Sequence, residues 1–111
     1  VLILGGYDKG IPFDGLALKI VDRGCHVVTL GATAPLIEKA LHEAWSRDGG
    51  EDSGNYSKVT RASTLEEAVK TASLIAQRGW SVALSPACAS YDMFTDFEER
   101  GQLFKALVAR L

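Results

Sequence analysis

The sequence has no methionine at its start, few cysteines, no cluster of basic residues and no long apolar run. Its only methionine among 111 residues is Met93, so we expect a piece of a longer protein that is truncated on its N-terminal side. It contains no apolar run of about 18 residues and no basic leader followed by a cleavage site. We therefore expect neither a membrane span nor a signal peptide, and a cytoplasmic location.

The charge pattern argues against two classes of partner. The net charge is −2, and the basic residues do not cluster. Nucleic-acid backbones and anionic membranes are recognised by concentrated positive charge, which is missing here. We expect neither as a partner.

The residues that most often bind metals or act as nucleophiles are few and scattered. Cys25 and Cys88 fit no CxxC spacing, so we expect reduced thiols. His26 and His42 have no second ligand at a metal-binding spacing, and Ser90 lies in no GxSxG elbow. We predict no metal site and no catalytic residue in this chain.

The composition and the order of elements predict the fold. Hydrophobic residues make up 47% and charged residues 23%, which is ordinary for a globular protein, and the length allows one domain over 1–111. Apolar runs predict strands at 1–4, 25–30, 59–60 and 81–84. Because helical patterns alternate with them, we predict an α/β, doubly wound, Rossmann-like domain: a mainly parallel sheet of about four strands with helices on both faces.

Helix signals fill the gaps between these strands. The first helix ends at Gly24, and the second begins near Thr33 and runs to Trp45. Capping boxes at 63–66 and 95–98 predict the starts of the third and fourth helices. The fourth helix carries a predicted apolar stripe of Phe97, Phe104, Leu107, Val108 and Leu111.

A glycine-rich turn follows the first strand. Its sequence, GGYDKG at 5–10, fits neither the dinucleotide fingerprint nor the P-loop pattern. Lys9 remains as a cation near a strand end, able to pair with a carboxylate or phosphate. The alternative is an ordinary surface lysine in water.

A second turn, of small residues, follows the fourth strand at 85–90. The Ser90 hydroxyl, together with backbone N–H groups near Phe97 at the helix start, can hold a second carboxylate. The alternative is that Ser90 caps a turn containing Asp92 and that Thr95 takes up the N–H groups.

Two stretches carry a family resemblance over essentially the whole chain. The run LSPACASYDMFTDFEERG at 84–101 resembles a signature near the end of the Mur ligases, in their D-glutamate-adding branch. The opening LILGGYDKG at 2–10 is similar to a strand, glycine pair and lysine in the same family. Tyr7 and Tyr91 depart from the family pattern.

The resemblance implies the C-terminal domain of a three-domain ligase of peptidoglycan precursor synthesis. Such enzymes use ATP to convert a carboxylate into an acyl phosphate, which an amino acid then attacks. The resemblance implies that this domain holds D-glutamate, that Lys9 and Ser90 contact its carboxylates, and that Tyr91 and Phe97 line the site.

The resemblance also implies the partners of this domain. ATP and Mg belong mainly to a central domain of the same chain, and UDP-N-acetylmuramoyl-L-alanine is the second substrate. We expect a monomer in which this piece alone is inactive. The alternatives are another Mur or folylpolyglutamate-type ligase, and a non-catalytic α/β ligand-binding or regulatory module.

Overall fold

The structure is a computed structural model that describes residues 1–6, 10, 12–47, 58–85 and 96–111. Strands and helices alternate along the chain. The strands are β1 (Leu2–Leu4), β2 (Val27–Thr29), β3 (Val59–Arg61) and β4 (Ala83–Leu84). The helices are α1 (Asp14–Arg23), α2 (Ala34–Arg47), α3 (Leu65–Ile75) and α4 (Phe97–Ala109).

The four strands form one parallel sheet in the order β3-β2-β1-β4. In this sheet Leu2 pairs with Val27 on one side and with Ala83 on the other. β1 is therefore central, which explains its unbroken apolar sequence. The predicted doubly wound α/β fold is confirmed.

The core has one layer on each face of the sheet. Leu4 is buried in a cluster with side chains of α1 and α2, including Ile20 and Leu41. Ile3 points to the opposite face, into a cluster with Leu65 of α3 and Leu107 of α4. Adjacent residues of a strand face opposite sides, so these two residues anchor both layers, and helices cover both faces as expected.

The helix ends follow local rules, with two shifts from the predicted capping residues. Gly24 ends α1 with φ 65°, and the amide of Cys25 donates to the carbonyl of Ile20 at 3.2 Å, as in a Schellman motif. The capping residue of α3 is Thr64, whose hydroxyl accepts from the Glu67 amide. The capping box predicted at 63–66 is thus one residue too early. The box predicted at 95–98 is also one residue too early, because α4 is capped by Asp96.

The predicted apolar stripe of α4 is only partly buried. Leu107 is buried and Phe104 is half-buried against the same core cluster. Phe97, Val108 and Leu111 are exposed. The predicted apolar residues therefore contact the core only in the middle of α4, and Phe97 and Leu111 lie beyond that contact.

Over the parts of the chain that the structure describes, none of the helices has both the length and the apolar character needed to cross a membrane.

Candidate functional site

The carboxyl ends of β1 and β4 lie side by side at one edge of the sheet. Ile3 pairs with Leu84, and the Ser85 amide donates to the Ile3 carbonyl at 3.1 Å. After β1 the chain continues to α1 on one face, and after β4 it continues to α4 on the other. Such a topological switch point opens a crevice where α/β proteins commonly bind ligands.

Three of the four predicted site residues, Lys9, Ser90 and Tyr91, lie outside the described residues. Lys9 follows Gly6 by three positions, and Ser90 follows Ser85 by five. The structure therefore brings together the two strand ends from which these segments depart, about 5 Å apart in a parallel pair. This is the arrangement that a ligand bridging both segments requires, while the positions of the three side chains stay predictions.

Phe97 is the predicted site residue that the structure describes. It is the first residue of α4, and 70% of it is exposed. Its ring is therefore not part of the core and is accessible to a ligand or to another domain. Its role in lining a site stays a prediction.

The start of α4 is already occupied by negative charge. The carboxylate of Asp96 accepts from the Glu99 amide at 2.9 Å. Glu98 and Glu99 add two carboxylates in the first turn, where they favour the helix dipole. One of the amides that we considered for holding a ligand carboxylate therefore serves Asp96 instead.

A threonine that sequence reasoning placed only at a helix start also holds the end of β1. Thr33 is fully buried. Its hydroxyl accepts from the Gly6 amide at 3.0 Å, and its own amide donates to the Gly6 carbonyl at 3.2 Å. The only sequence signal for this contact is a threonine shortly after the second strand, and such a signal is weak.

A second polar cluster, also missed from sequence, joins β2, α2 and β3. The buried Thr29 hydroxyl donates to Glu38 at 3.1 Å. The Arg61 guanidinium donates to both oxygens of Glu38, at 2.8 and 3.1 Å. This carboxylate raises the pKa of Arg61 above its ordinary value, and the two-point contact fixes the guanidinium near the carboxyl end of β3.

His26 lies at the opposite edge of the sheet. It precedes β2, and its ring stands 5.3 Å from that of Trp80, which precedes β4. Desolvation lowers the pKa of His26 below its ordinary value, and the positive charge of Lys58 lowers it further. His26 therefore lies away from the candidate site at the carboxyl ends of β1 and β4.

Among the described residues, no group of three or more His, Cys, Asp or Glu side chains could hold a metal ion.

Comparisons with curated proteins place this arrangement in a family. No protein-family model matches the chain. The chain is 47% identical over 108 residues to the UDP-N-acetylmuramoylalanine--D-glutamate ligase of Acetivibrio thermocellus, covering 97% of this chain and 22% of the relative. The ligase of the same name from Symbiobacterium thermophilum is 43% identical over 111 residues, covering 100% and 22%. That of Thermoanaerobacter sp. X514 is 46% identical over 112 residues, covering 100% and 23%.

The chain spans less than a quarter of the length of these relatives. The matched part is their C-terminal portion. Fold and matches together define a doubly wound α/β domain homologous to the C-terminal part of ligases. The chain is thus similar over its whole length to the C-terminal portion of the UDP-N-acetylmuramoylalanine--D-glutamate ligases reported above, which confirms the resemblance predicted from sequence.

Proposed function

We propose that this chain is the amino-acid-holding domain of an ATP-dependent ligase that adds D-glutamate to UDP-N-acetylmuramoyl-L-alanine in peptidoglycan precursor synthesis. The observation that carries the proposal is the identity of 47% over 108 residues to a ligase of that name. The adjacent ends of β1 and β4 support it, because the two segments with the expected substrate contacts begin there.

The proposed reaction has two chemical steps. The carboxylate of the nucleotide-sugar substrate attacks the γ-phosphorus of ATP, which breaks the bond to ADP and forms an acyl phosphate. The amine of D-glutamate then attacks the acyl carbon, inorganic phosphate leaves, and the nitrogen loses a proton as the amide forms. A domain that holds the amine next to the acyl carbon accelerates the second step through proximity and orientation.

D-glutamate has two carboxylates, and the proposed contacts lie on two segments. Lys9 pairs with one carboxylate as a charged donor, and the Ser90 hydroxyl donates to a carboxylate. Tyr91 and Phe97 line the site, and the 70% exposure of Phe97 leaves its ring available for this contact.

We assign ATP and Mg to the central domain of the full-length protein. The described residues offer no cluster suited to a metal ion, so no Mg ligand is proposed in this chain. The full-length protein is proposed to be a cytoplasmic monomer in which this domain closes on the central domain of the same chain. The isolated chain is then inactive.

A substrate panel tests the proposal in the full-length protein. UDP-N-acetylmuramoyl-L-alanine and Mg-ATP are supplied with D-glutamate, L-glutamate, L-lysine or meso-diaminopimelate, and ADP release and product mass are measured. We expect turnover with D-glutamate and with none of the other three amino acids. Turnover with another amino acid identifies another Mur-type ligase, and turnover with a folate in place of the nucleotide sugar identifies a folylpolyglutamate-type one. Ligand binding without ADP release indicates the non-catalytic module.

A further inference from the structure

The peptide unit between Leu4 and Gly5 directs a hydrogen-bond donor into the crevice between β1 and β4. The Leu4 carbonyl faces β2, where it accepts from the Leu30 amide at 3.0 Å. Because the C=O and N–H groups of a trans peptide unit point in opposite directions, the Gly5 N–H points toward β4. It lies where the next hydrogen bond between these two strands would form.

That next hydrogen bond is not made. β4 pairs with β1 as far as Ile3 and Leu84, and the last bond between them runs from the Ser85 amide to the Ile3 carbonyl. Further pairing would require the Gly5 amide to donate to the Ser85 carbonyl, and the strands have parted before that point. Within the described parts of the chain no group accepts from this amide, although Gly5 is buried. A buried backbone N–H without an acceptor is rare, so it indicates a place for an oxygen atom of a ligand.

The Ser85 side chain lies at the other side of the same gap. Leu84 packs against the core cluster beneath α3 and α4. Because neighbouring residues of a strand face opposite sides, Ser85 faces the α1 side of the sheet. Ala83 and Ser85 share that face of β4, and both are exposed. The hydroxyl is therefore accessible to a ligand, while the backbone that carries it is fixed by the bond to Ile3.

We propose that the Gly5 N–H and the Ser85 hydroxyl form a donor pair that binds a carboxylate of the amino acid substrate. The inference deepens the proposed function and rests on it. A carboxylate accepts several hydrogen bonds, and bonds to a charged acceptor are stronger than those between neutral groups. Phosphoryl groups carry more negative charge and are usually held by cations as well, whereas both of these donors are neutral.

Steady-state kinetics of the full-length protein test the hydroxyl. Ser85→Ala removes it, and Ser85→Thr keeps it. Ser81→Ala is the matched control, because Ser81 is an exposed serine just before the amino end of β4. We expect Ser85→Ala to raise the KM for D-glutamate about tenfold, with the KM values for ATP and the nucleotide sugar within about twofold, and Ser85→Thr to keep the wild-type value. Equal changes in all three KM values, or a Ser85→Ala variant that behaves like Ser81→Ala, overturn the inference.

Nuclear magnetic resonance tests the backbone donor. Residues 1–111 of the full-length protein are labelled with ¹³C at the leucine carbonyl and with ¹⁵N at glycine. This labelling selects the amides of Gly5 and Gly31, the glycines of this chain that follow a leucine. Leu30→Met removes the Gly31 signal and so assigns the other one. Gly31 is the internal control, because the Leu30 carbonyl faces Gly5 and the Gly31 N–H therefore points away from β1.

The ligands are added in a fixed order. The nucleotide sugar and a non-hydrolysable ATP analogue with Mg come first, and D-glutamate comes second. We expect D-glutamate to slow hydrogen exchange of the Gly5 amide about tenfold or more and to leave Gly31 unchanged. No slowing, as when only water occupies the gap, overturns the inference. Slowing that is complete before D-glutamate is added assigns the donors to a phosphoryl group and overturns it too.

Failure of the proposed function is seen separately, in the substrate panel. In that case the wild-type protein uses another amino acid, and both measurements are repeated with the amino acid that it does use.

Discussion

The carbonyl oxygen of Leu30 occupies the place where a side chain on Gly5 would begin. The distance to an added Cβ atom is 1.9 Å, and Gly5 has φ 127°. Two parallel strands therefore end in direct backbone contact at the edge where the candidate site lies. Glycine is required at this position both by its conformation and by the space available.

Gly5→Ala should strongly destabilise the chain. The neighbouring atom belongs to the backbone of Leu30, directly after β2, which cannot move without disturbing the sheet, and the positive φ adds strain. We expect a loss of about 3 kcal/mol or more in the free energy of unfolding, measured by urea denaturation.

Gly101→Ala is the matched control. Gly101 lies within α4, and an added Cβ there meets nothing within 4 Å. Alanine is the better helix former, so a gain of about 0.5–1 kcal/mol is expected. Equal losses for the two variants would contradict the assigned contact between Gly5 and Leu30.

The strands and their direction could be predicted because each is a short apolar run followed by a helical pattern. The order of the strands in the sheet could not be predicted from the sequence. Whether β4 pairs with β1 or with β3 depends on long-range packing, and this order is what sets the carboxyl ends of β1 and β4 side by side. The burial of Leu107 and the exposure of Val108 on α4 likewise follow from where that helix meets the core.

In the candidate site, too, some residues could be predicted from the sequence and some contacts could not. Lys9 and Ser90 could be proposed because each follows a strand end, a local feature of the sequence. The contacts of Thr33 with Gly6 and of Thr29 with Glu38 could not, because each joins residues whose approach depends on the sheet. At α3, Ser63 and Thr64 are each followed three positions later by a glutamate, so the local pattern fits two registers, and the structure adopts that of Thr64.

Thr29 and Glu38 should be energetically coupled. Glu38→Ala leaves the buried Thr29 hydroxyl without its acceptor, at a cost of about 1–3 kcal/mol in unfolding free energy. Thr29→Val should lower the free energy of unfolding by less when Glu38 is already alanine, because the hydroxyl contact with Glu38 is then already absent. A double-mutant cycle by urea denaturation measures this coupling.

Glu43→Ala serves as the control on the same helix, because Glu43 is exposed. Its effect should stay within about 0.5 kcal/mol. Strictly additive effects of Thr29→Val and Glu38→Ala would show that their 3.1 Å contact does not persist in solution.

Protonation of His26 should lower the free energy of unfolding at mildly acidic pH. Desolvation first, and then the charge of Lys58, lower its pKa below the ordinary value of 6.5. Below pH 6.5 the unfolded chain therefore binds more protons than the folded one, so protons favour unfolding. This contribution to stability is complete above pH 6.5 and is lost as the pH falls through the folded-state pKa.

Urea denaturation between about pH 7.5 and 5.5 measures this slope, in a range above the usual titration of carboxylates. His26→Gln should flatten it. Lys58→Met should reduce the slope, because the positive charge that lowers the pKa of His26 is removed. A slope that survives unchanged in His26→Gln would assign it to another group.

Lys9→Ala in the full-length protein tests the proposed contact between Lys9 and D-glutamate directly. Loss of a charged hydrogen bond costs about 1.5–3 kcal/mol, so we expect the KM for D-glutamate to rise about ten- to hundredfold. The acyl phosphate should still form, because its formation needs no amino acid, and borohydride reduction traps it. Lys19→Ala, at an exposed lysine of α1, should leave the D-glutamate dependence unchanged. If Lys9→Ala also leaves it unchanged, Lys9 does not bind the substrate, and the ordinary surface lysine is the correct interpretation.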